Sequence, residues 1–219
     1  MLTEQFDNVT LHRCDYREVY DSWDRQSAIV SDPPYGMGYN TNHRRFTGGK
    51  SCDRLKQRVA PPIVGDDQPF DPAPFLHFRE CIFFGANHFA QKLPRGTILI
   101  WIKKNEPMFG KFLSDAEIAW KKGGHGVYCY KSIYANPTRR RDAGGDAHPT
   151  QKPIDLMHWC IGKTKSPVVI DPYMGSGSTG IAAYLENREF VGCEIDQTYF
   201  DLACRRIEKT VRENENVKP

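Results

Sequence analysis

The sequence has no apolar run of about 18 residues, the length that a membrane-spanning helix needs. Its first residues also lack the basic segment followed by an apolar segment that marks a secretion signal. No break in composition divides the 219 residues, and this length suits one domain with a well-filled core. We therefore expect a single domain over 1–219, in a soluble cytoplasmic protein without a membrane partner.

Paired cysteines and a strong net charge are also missing. The seven cysteines form no Cys-x-x-Cys pair, and their number is odd. We therefore predict reduced and mostly buried thiols. No spacing of cysteine and histidine supports a zinc site, so we predict no metal. The net charge of +3 is mild; it is compatible with a nucleic-acid partner but does not identify one.

Short apolar runs recur along the chain, and their near-continuous apolar character is typical of strands buried on both faces. These runs are 9–12, 28–30, 81–84, 97–102, 168–170 and 190–193. Segments with helical spacing follow some of them, namely 153–162, 179–187 and 199–211. This alternation predicts an α/β fold with a doubly wound, mostly parallel sheet flanked by helices.

Two polar stretches, 36–71 and 121–147, interrupt this alternation. Long connections in compact domains are usually functional or disordered. Both stretches are rich in basic residues, and the second interleaves them with tyrosines, which favours a nucleic-acid surface over a merely solvated loop. Their candidate contact residues are Arg44, Arg45, Lys50, Arg54, Arg139, Arg140 and Arg141.

The tetrapeptide Asp32-Pro33-Pro34-Tyr35 directly follows the predicted strand 28–30 and its next residue. Ligands of open α/β sheets bind beyond the carboxyl ends of the strands, where this tetrapeptide would lie. The two prolines stiffen the backbone and remove two amide donors, so that carbonyl groups remain free to accept. A carboxylate, a rigid carbonyl and an aromatic ring together can hold and activate the amino group of a nucleobase.

A glycine-rich turn joins the predicted strand 168–170 to the next helix. Gly175 and Gly177 let the backbone approach a ligand, and the helix N-terminus near Ser178 offers free amides to an anionic group. Glu194 ends the following strand, where it can accept hydrogen bonds from both hydroxyls of a ribose. This arrangement predicts a nucleotide-like cofactor.

The same glycines also fit the dinucleotide fingerprint G-x-G-x-x-G, with an acid about twenty residues beyond it. A nicotinamide-dependent enzyme is therefore a rival interpretation. The first glycine of that fingerprint normally follows its strand closely, whereas residues 171–174 intervene here. The carboxylate of Asp171 suits a ligand with a free ammonium group, such as an amino-acid moiety.

Three motifs in this order resemble those of the DNA amino-methyltransferases, which use S-adenosylmethionine to methylate an exocyclic nitrogen of adenine or cytosine. Residues 32–35 resemble the catalytic motif of the family, and residues 171–177 resemble its cofactor loop. The segment 148–153, His-Pro-Thr-Gln-Lys-Pro, is similar to the one that precedes that loop. The order of the motifs resembles the permuted β group, and the resemblance extends over 9–207.

This resemblance implies a role for each motif. Asp32, Pro33, Pro34 and Tyr35 would be catalytic. The implied cofactor-binding residues are Asp15, Tyr16, Asp32, Thr150, Lys152, Asp171, Tyr173, Gly175, Gly177, Ser178, Thr179 and Glu194. Among these, Asp15 would contact the adenine amino group, while Tyr16 would flank the ring. The family commonly has Phe at the position of Tyr173, which keeps the aromatic ring.

The implied reaction is methylation of adenine N6 in duplex DNA, with the base flipped out of the helix and stacked on Tyr35. Methylation of cytosine N4 is the alternative, although family members of that kind more often carry Ser at the position of Asp32. RNA or protein glutamine as the acceptor, or a DNA-binding protein without activity, are further alternatives. Asn87 and His88 line the same pocket or form an ordinary turn, and a homodimer is a family expectation.

Overall fold

The computed structural model describes residues 1–38, 64–111, 114–133 and 151–216. An eight-stranded sheet in the order β1-β2-β8-β7-β3-β4-β6-β5 forms its centre. The strands are β1 Leu2–Phe6, β2 Val9–Arg13, β3 Ala28–Ser31, β4 Glu80–Phe84, β5 Gly96–Ile102, β6 Ala116–Lys131, β7 Val168–Asp171 and β8 Glu189–Glu194. The helices are α1 Ile154–Ile161, α2 Ser178–Leu185 and α3 Gln197–Glu215.

Five neighbouring strands run in the same direction. β2 pairs with β8, β8 with β7, β7 with β3, and β3 with β4, each in parallel. Their carboxyl ends therefore meet at one edge of the sheet, which we call the carboxyl edge. The α/β fold with a mostly parallel sheet that the sequence predicts is confirmed. Strand β1 was not predicted, because it is mostly exposed and lacks an apolar run.

Strand β6 reverses direction around β5. Ile98 pairs with both Trp120 and Val127, and Ile100 pairs with both Ile118 and Cys129. The first part of β6 is thus antiparallel to β5, as it is to β4, and the second part returns along β5. Residues 121–131 consequently extend the sheet, whereas the sequence pattern predicts an insertion there. The rest of that segment, 134–147, lies outside the described residues.

Each face of the sheet has its own core. Along β3, Val30 points to the core that includes the helices, whereas Ile29 points to the opposite face. That opposite face is covered by aromatic side chains, among them Trp23, Phe75 and Phe78. Tyr20 and Trp23 approach each other there edge to face, with ring centroids 5.8 Å apart. The two cores hold the strand ends of the carboxyl edge in fixed positions.

The cysteines in the described part of the chain are all unpaired. Cys14, Cys81, Cys160 and Cys193 are buried, whereas Cys129 is exposed. Within the described ranges, no three His, Cys, Asp or Glu side chains are grouped in a way that could hold a metal ion. Nor do the described residues include a helix that is long and apolar enough to cross a membrane.

Candidate active site

Acidic side chains gather at the carboxyl edge of the sheet. Asp32 directly follows β3, Asp171 ends β7, and Glu194 ends β8. Asp15 follows β2, and the amide of Cys14 donates to the carbonyl of Glu194 at 3.2 Å, which holds the two strand ends together. The structure thus brings together the acids of both sequence motifs, which are far apart along the chain.

Both carboxylate oxygens of Asp32 accept hydrogen bonds from side chains. The Tyr35 hydroxyl donates to Oδ1, and the Lys152 ammonium donates to Oδ2. The Tyr35 ring stacks on His88, with centroids 4.9 Å apart and an interplanar angle of 11°. His88 is therefore part of the wall around Tyr35, although it also belongs to the short 3-10 turn Ala86–His88. Asn87 in the same turn is exposed.

Gly85 leaves the space that the Tyr35 ring occupies. Gly85 follows β4 and has a φ of +69°, in the left-handed region. A Cβ atom at this position would overlap the Tyr35 ring. Gly85 is therefore required both for its backbone conformation and for the space that it leaves. The backbone after Tyr35 is fixed by Asp66, whose Oδ1 accepts from the amides of Gly36 at 2.8 Å and Met37 at 3.2 Å.

Lys152 connects Asp32 to a second carboxylate, which no sequence motif indicates. The Lys152 ammonium lies 3.3 Å from Oε2 of Glu117. Oε1 of Glu117 accepts from the Lys103 ammonium at 2.7 Å. Asp32, Lys152, Glu117 and Lys103 therefore form a row of alternating charges, which we call the charge row. Glu117 reaches it because the antiparallel part of β6 starts at the carboxyl edge.

The pKa values in the charge row reflect burial and charge together. Burial raises the pKa of Glu117, but Lys152 and Lys103 outweigh it and lower the value to about 2. Burial lowers the pKa of Lys152, but Asp32 and Glu117 outweigh that effect and raise it. Burial also raises the pKa of Asp32, against the opposing effect of Lys152. Lys152 is thus held as a cation between two carboxylates.

The hydrogen bonds of Asp171 lie within the protein. Ser31 Oγ donates to Oδ1 at 2.6 Å, and Thr179 Oγ1 donates to Oδ2 at 2.6 Å. The amide of Tyr173 adds a third bond to Oδ1 at 3.1 Å. Burial raises the pKa of Asp171 to about 6. Asp171 and Thr179 therefore join β3, β7 and the start of α2, which fixes the turn between β7 and α2.

The turn also bonds to the end of β8. The amide of Gly175 donates to Oε2 of Glu194 at 3.0 Å, and the amide of Asp196 donates to Oε1 at 2.8 Å. Burial raises the pKa of Glu194 to about 7. Gly177 has a φ of +79°, and a Cβ atom there would lie 3.0 Å from Ala203 Cβ in α3. Gly177 is thus needed for its conformation and for helix packing.

Arg206 supports this turn from within the protein. Arg206 lies on α3, and its buried side chain donates to the Ser176 carbonyl. It also donates to the hydroxyls of Ser176 at 3.0 Å and Ser178 at 3.3 Å. The helical spacing of 199–211 gives no sign that Arg206 is buried. Helix periodicity does not register a guanidinium group that is buried to bind a loop.

An aromatic pair stands beside the acids at the ends of β2 and β8. Asp15 accepts from the amide of Arg17 at 3.0 Å and caps the 3-10 turn Tyr16–Glu18. The Tyr16 ring packs against Tyr173, with centroids 5.4 Å apart. The predicted cofactor residues Asp15, Tyr16 and Tyr173 are therefore close to one another. Thr150 and all the predicted DNA-contacting arginines and lysines lie outside the described residues.

The fold is Rossmann-like, and its acidic side chains gather at the carboxyl edge. A family described as DNA methylase matches residues 100–205 of the chain. The type II methyltransferase M.ScaI of Streptomyces caespitosus is 29% identical over an alignment of 252 residues, which covers 92% of this chain and 82% of that protein. The type II methyltransferase M.HinfI of Haemophilus influenzae is 38% identical over 77 residues. That match covers 34% of this chain, and the chain spans 21% of M.HinfI.

Solved structures share the fold at lower sequence identity. The complex of M1.HpyAVI with SAM has a TM-score of 0.53 and 20% identity, covering 91% of this chain and 98% of that one. The PvuII DNA methyltransferase, described as cytosine-N4-specific, has a TM-score of 0.59 and 15% identity, covering 96% of this chain and 92% of that one. Residues 100–205 are thus similar to a DNA methylase family, and the fold is similar to that of DNA methyltransferases.

The residues at the carboxyl edge fit S-adenosylmethionine, the cofactor that the resemblance of the sequence motifs implies. Glu194 and Asp15 are acceptors at neighbouring strand ends, and there they would hold a ribose and an adenine amino group. Burial disfavours the charged form of Glu194, so donors from a ligand hydroxyl pair would stabilise it. The Tyr16 and Tyr173 rings would provide apolar surface for an adenine ring. When bound, S-adenosylmethionine supplies an electrophilic methyl group on a sulfonium sulfur.

Proposed function

We propose that this protein methylates an exocyclic amino group of a base in duplex DNA, and that adenine N6 is the acceptor. The observation that carries the proposal is the position of Asp32, whose carboxylate lies at the carboxyl edge with Asp171 and Glu194. Tyr35 and Lys152 bond to that carboxylate. The names of the two relatives, both type II methyltransferases, support DNA modification of the restriction-modification kind.

Asp32 and Pro33 would make the amino nitrogen reactive. Its lone pair is delocalised into the base, which makes the nitrogen a poor nucleophile. Hydrogen bonds from the amino group to the Asp32 carboxylate and the Pro33 carbonyl favour a tetrahedral nitrogen with a localised lone pair. The lone pair forms the N–CH₃ bond while the S–CH₃ bond breaks and leaves its electrons on sulfur. The methylated nitrogen then loses one proton to water. Positioning and electrostatics supply most of the acceleration.

Tyr35 would hold the base after it leaves the duplex. Flipping a base costs a few kcal/mol, and stacking on an aromatic ring returns about 1–3 kcal/mol. His88 stacks on Tyr35 in the free protein. Because His88 is exposed, an incoming base can take its place against the ring without opening the core. Base flipping onto Tyr35 is thus compatible with the free geometry.

Adenine is the proposed acceptor because the catalytic motif starts with Asp32. Cytosine N4 is the second candidate, since the same acceptors would serve its amino group. Double-stranded DNA is the proposed partner, and the predicted basic contacts of 36–71 and 121–147 would bind its phosphates. Such contacts weaken binding as salt rises, with a log–log slope of about 0.9 per phosphate. A homodimer stays a prediction from the family.

Transfer of a labelled methyl group tests whether DNA is the acceptor. The protein would be incubated with methyl-labelled S-adenosylmethionine and long unmethylated duplex DNA of mixed sequence. We expect label in the DNA, and none when RNA of mixed sequence or bulk protein replaces it. Label in RNA or protein alone, or no label in any acceptor while the cofactor binds, would contradict the proposed function.

The raised pKa of Glu194 predicts a pH-dependent cofactor affinity. At a pKa of about 7, the carboxyl group becomes protonated in the free protein as the pH falls below neutral. A ribose hydroxyl pair favours the ionised form, so binding must then release a proton. We expect the affinity to weaken as the pH falls from 8 to 6, by at most about tenfold per unit. Calorimetric titration at each pH measures it.

The matched variant for this experiment is Glu194→Gln, which keeps the size of the side chain but cannot titrate. It should bind the cofactor more weakly at pH 8 and lose the part of the pH dependence that Glu194 causes. Titration of the cofactor itself affects both proteins equally and cancels in the comparison. An identical pH profile for the two proteins would show that Glu194 does not accept from the cofactor.

A further inference from the structure

Glu117 is a partly buried acid beside the site and has no role in the proposed function. It lies on β6, outside the sequence motifs that resemble the family. Its two oxygens face different lysines, with Lys103 at 2.7 Å from Oε1 and Lys152 at 3.3 Å from Oε2. Lys152 in turn bonds to Asp32. Glu117 and Asp32 therefore compete for one ammonium group.

This competition matters because Lys152 is buried. Its side chain is only 8% exposed, and an ammonium group in that position needs carboxylate partners in place of water. Without Glu117, Asp32 would be the only carboxylate within reach of it among the described residues. With Glu117, the ammonium can remain paired while one oxygen of Asp32 turns to another donor.

Movement of the Lys152 ammonium from Asp32 towards Glu117 would favour the proposed reaction. An ammonium fixed on Asp32 weakens that carboxylate as an acceptor for the target amino group. The amino nitrogen also gains positive charge as its lone pair forms the new bond, and a nearby cation opposes that charge. A second carboxylate on the far side of Lys152 reduces both effects. The charge row is electrically balanced only when Glu117 is ionised.

We propose that Glu117 is a positioning residue for methyl transfer, which draws the Lys152 ammonium from Asp32 when the target amino group arrives. Lys103 also pairs with Glu117, and this second pairing limits how strongly Glu117 draws Lys152. This inference rests on the proposed function, because it concerns the same acceptor carboxylate. The lysines keep the pKa of Glu117 at about 2, so the side chain stays ionised throughout the neutral range.

The test compares Glu117→Gln with Asp115→Asn. Asp115 precedes the same strand and pairs with Lys104 at 2.9 Å, but no contact links this pair to Asp32 in the described residues. At saturating DNA and cofactor, Glu117→Gln should lower kcat about tenfold or more, which corresponds to at least 1.4 kcal/mol. Its cofactor Kd should stay within twofold of wild type. Asp115→Asn should leave both kcat and Kd within twofold.

Lys103→Met distinguishes positioning from simple structural support. This variant leaves Lys152 as the one lysine paired with Glu117 in the described part of the chain, so the ammonium is drawn from Asp32 more strongly. We expect kcat to rise above the wild-type value. A purely structural row would lower kcat in both variants. If thermal unfolding shows that Glu117→Gln does not fold, the kcat of Lys103→Met still tests the role of Glu117.

A wild-type kcat in Glu117→Gln, or a more than twofold loss of kcat in Lys103→Met, would overturn this role of Glu117. Either result would leave the proposed function intact, because wild-type transfer to DNA is measured in the same series. Absence of methyl transfer by the wild-type protein would instead contradict the proposed function. The two failures are therefore distinguishable.

Discussion

Replacement of Asp32 by alanine should abolish methyl transfer to DNA while cofactor binding stays within a few-fold of wild type. The variant removes the carboxylate that accepts from the target amino group. Loss of one preorganised group at a reacting centre costs about 10²–10³-fold in rate, and here the group also aligns the lone pair. Single-turnover transfer of labelled methyl groups measures the rate, and calorimetry measures the cofactor Kd.

The fold should tolerate this change, because Lys152 keeps Glu117 as a partner. Asp32→Asn retains one oxygen acceptor and should keep more activity than Asp32→Ala. Glu194→Ala provides the contrast, since it should weaken cofactor binding first. The division of roles between the ends of β3 and β8 would be wrong if Asp32→Ala and Glu194→Ala lost cofactor affinity equally.

Gly85→Ala should remove nearly all methyl transfer by displacing Tyr35. The left-handed conformation at φ +69° costs a non-glycine residue about 1–2 kcal/mol. The added Cβ would also overlap the Tyr35 ring, and such overpacking costs about 1–3 kcal/mol more. The ring must move to relieve the overlap, and its bond to Asp32 and its stack on His88 are then lost. Chemical denaturation and single-turnover transfer measure the two consequences.

Gly110→Ala is the matched control for this variant. Gly110 has a φ of +70°, but a Cβ atom there would have no neighbour within 4 Å among the described residues. The control therefore carries the backbone cost without the overlap. It should lose about 1–2 kcal/mol of stability and keep its activity. If Gly85→Ala and Gly110→Ala behaved alike in both measurements, the Tyr35 ring would not depend on the space at Gly85.

The sequence predicts the parallel part of the sheet and the ends of its strands well. A short apolar run indicates a buried strand without any knowledge of its partner strands. The strands β3, β7 and β8 are therefore evident from their apolar runs alone. Because parallel strands share an edge, Asp32, Asp171 and Glu194 could be expected to meet there. The exposed hairpin strand β1 has no apolar pattern, and its turn, where Asp7 has a φ of +52°, gives no strong signal.

The charge row could not be predicted from spacing. Glu117 reaches Lys152 only because the first part of β6 is antiparallel to β4 and β5, and periodicity does not reveal the direction of a strand. Arg206 is a related case, since its partner is a turn in another part of the chain. Glu117 and Arg206 have charged side chains, and residue type alone would place both at the surface. Tertiary contacts hold them beneath the site instead.

Mass spectrometry of nucleosides from DNA that the protein has treated tests most directly whether it methylates adenine N6. Long unmethylated duplex DNA would be treated with the protein and S-adenosylmethionine, digested to nucleosides and compared with DNA treated with Asp32→Ala. We expect N6-methyladenine in the wild-type sample alone. N4-methylcytosine would keep the chemistry and contradict the proposed base. The absence of any methylated base, despite demonstrated cofactor binding, would contradict the proposal that the protein methylates DNA.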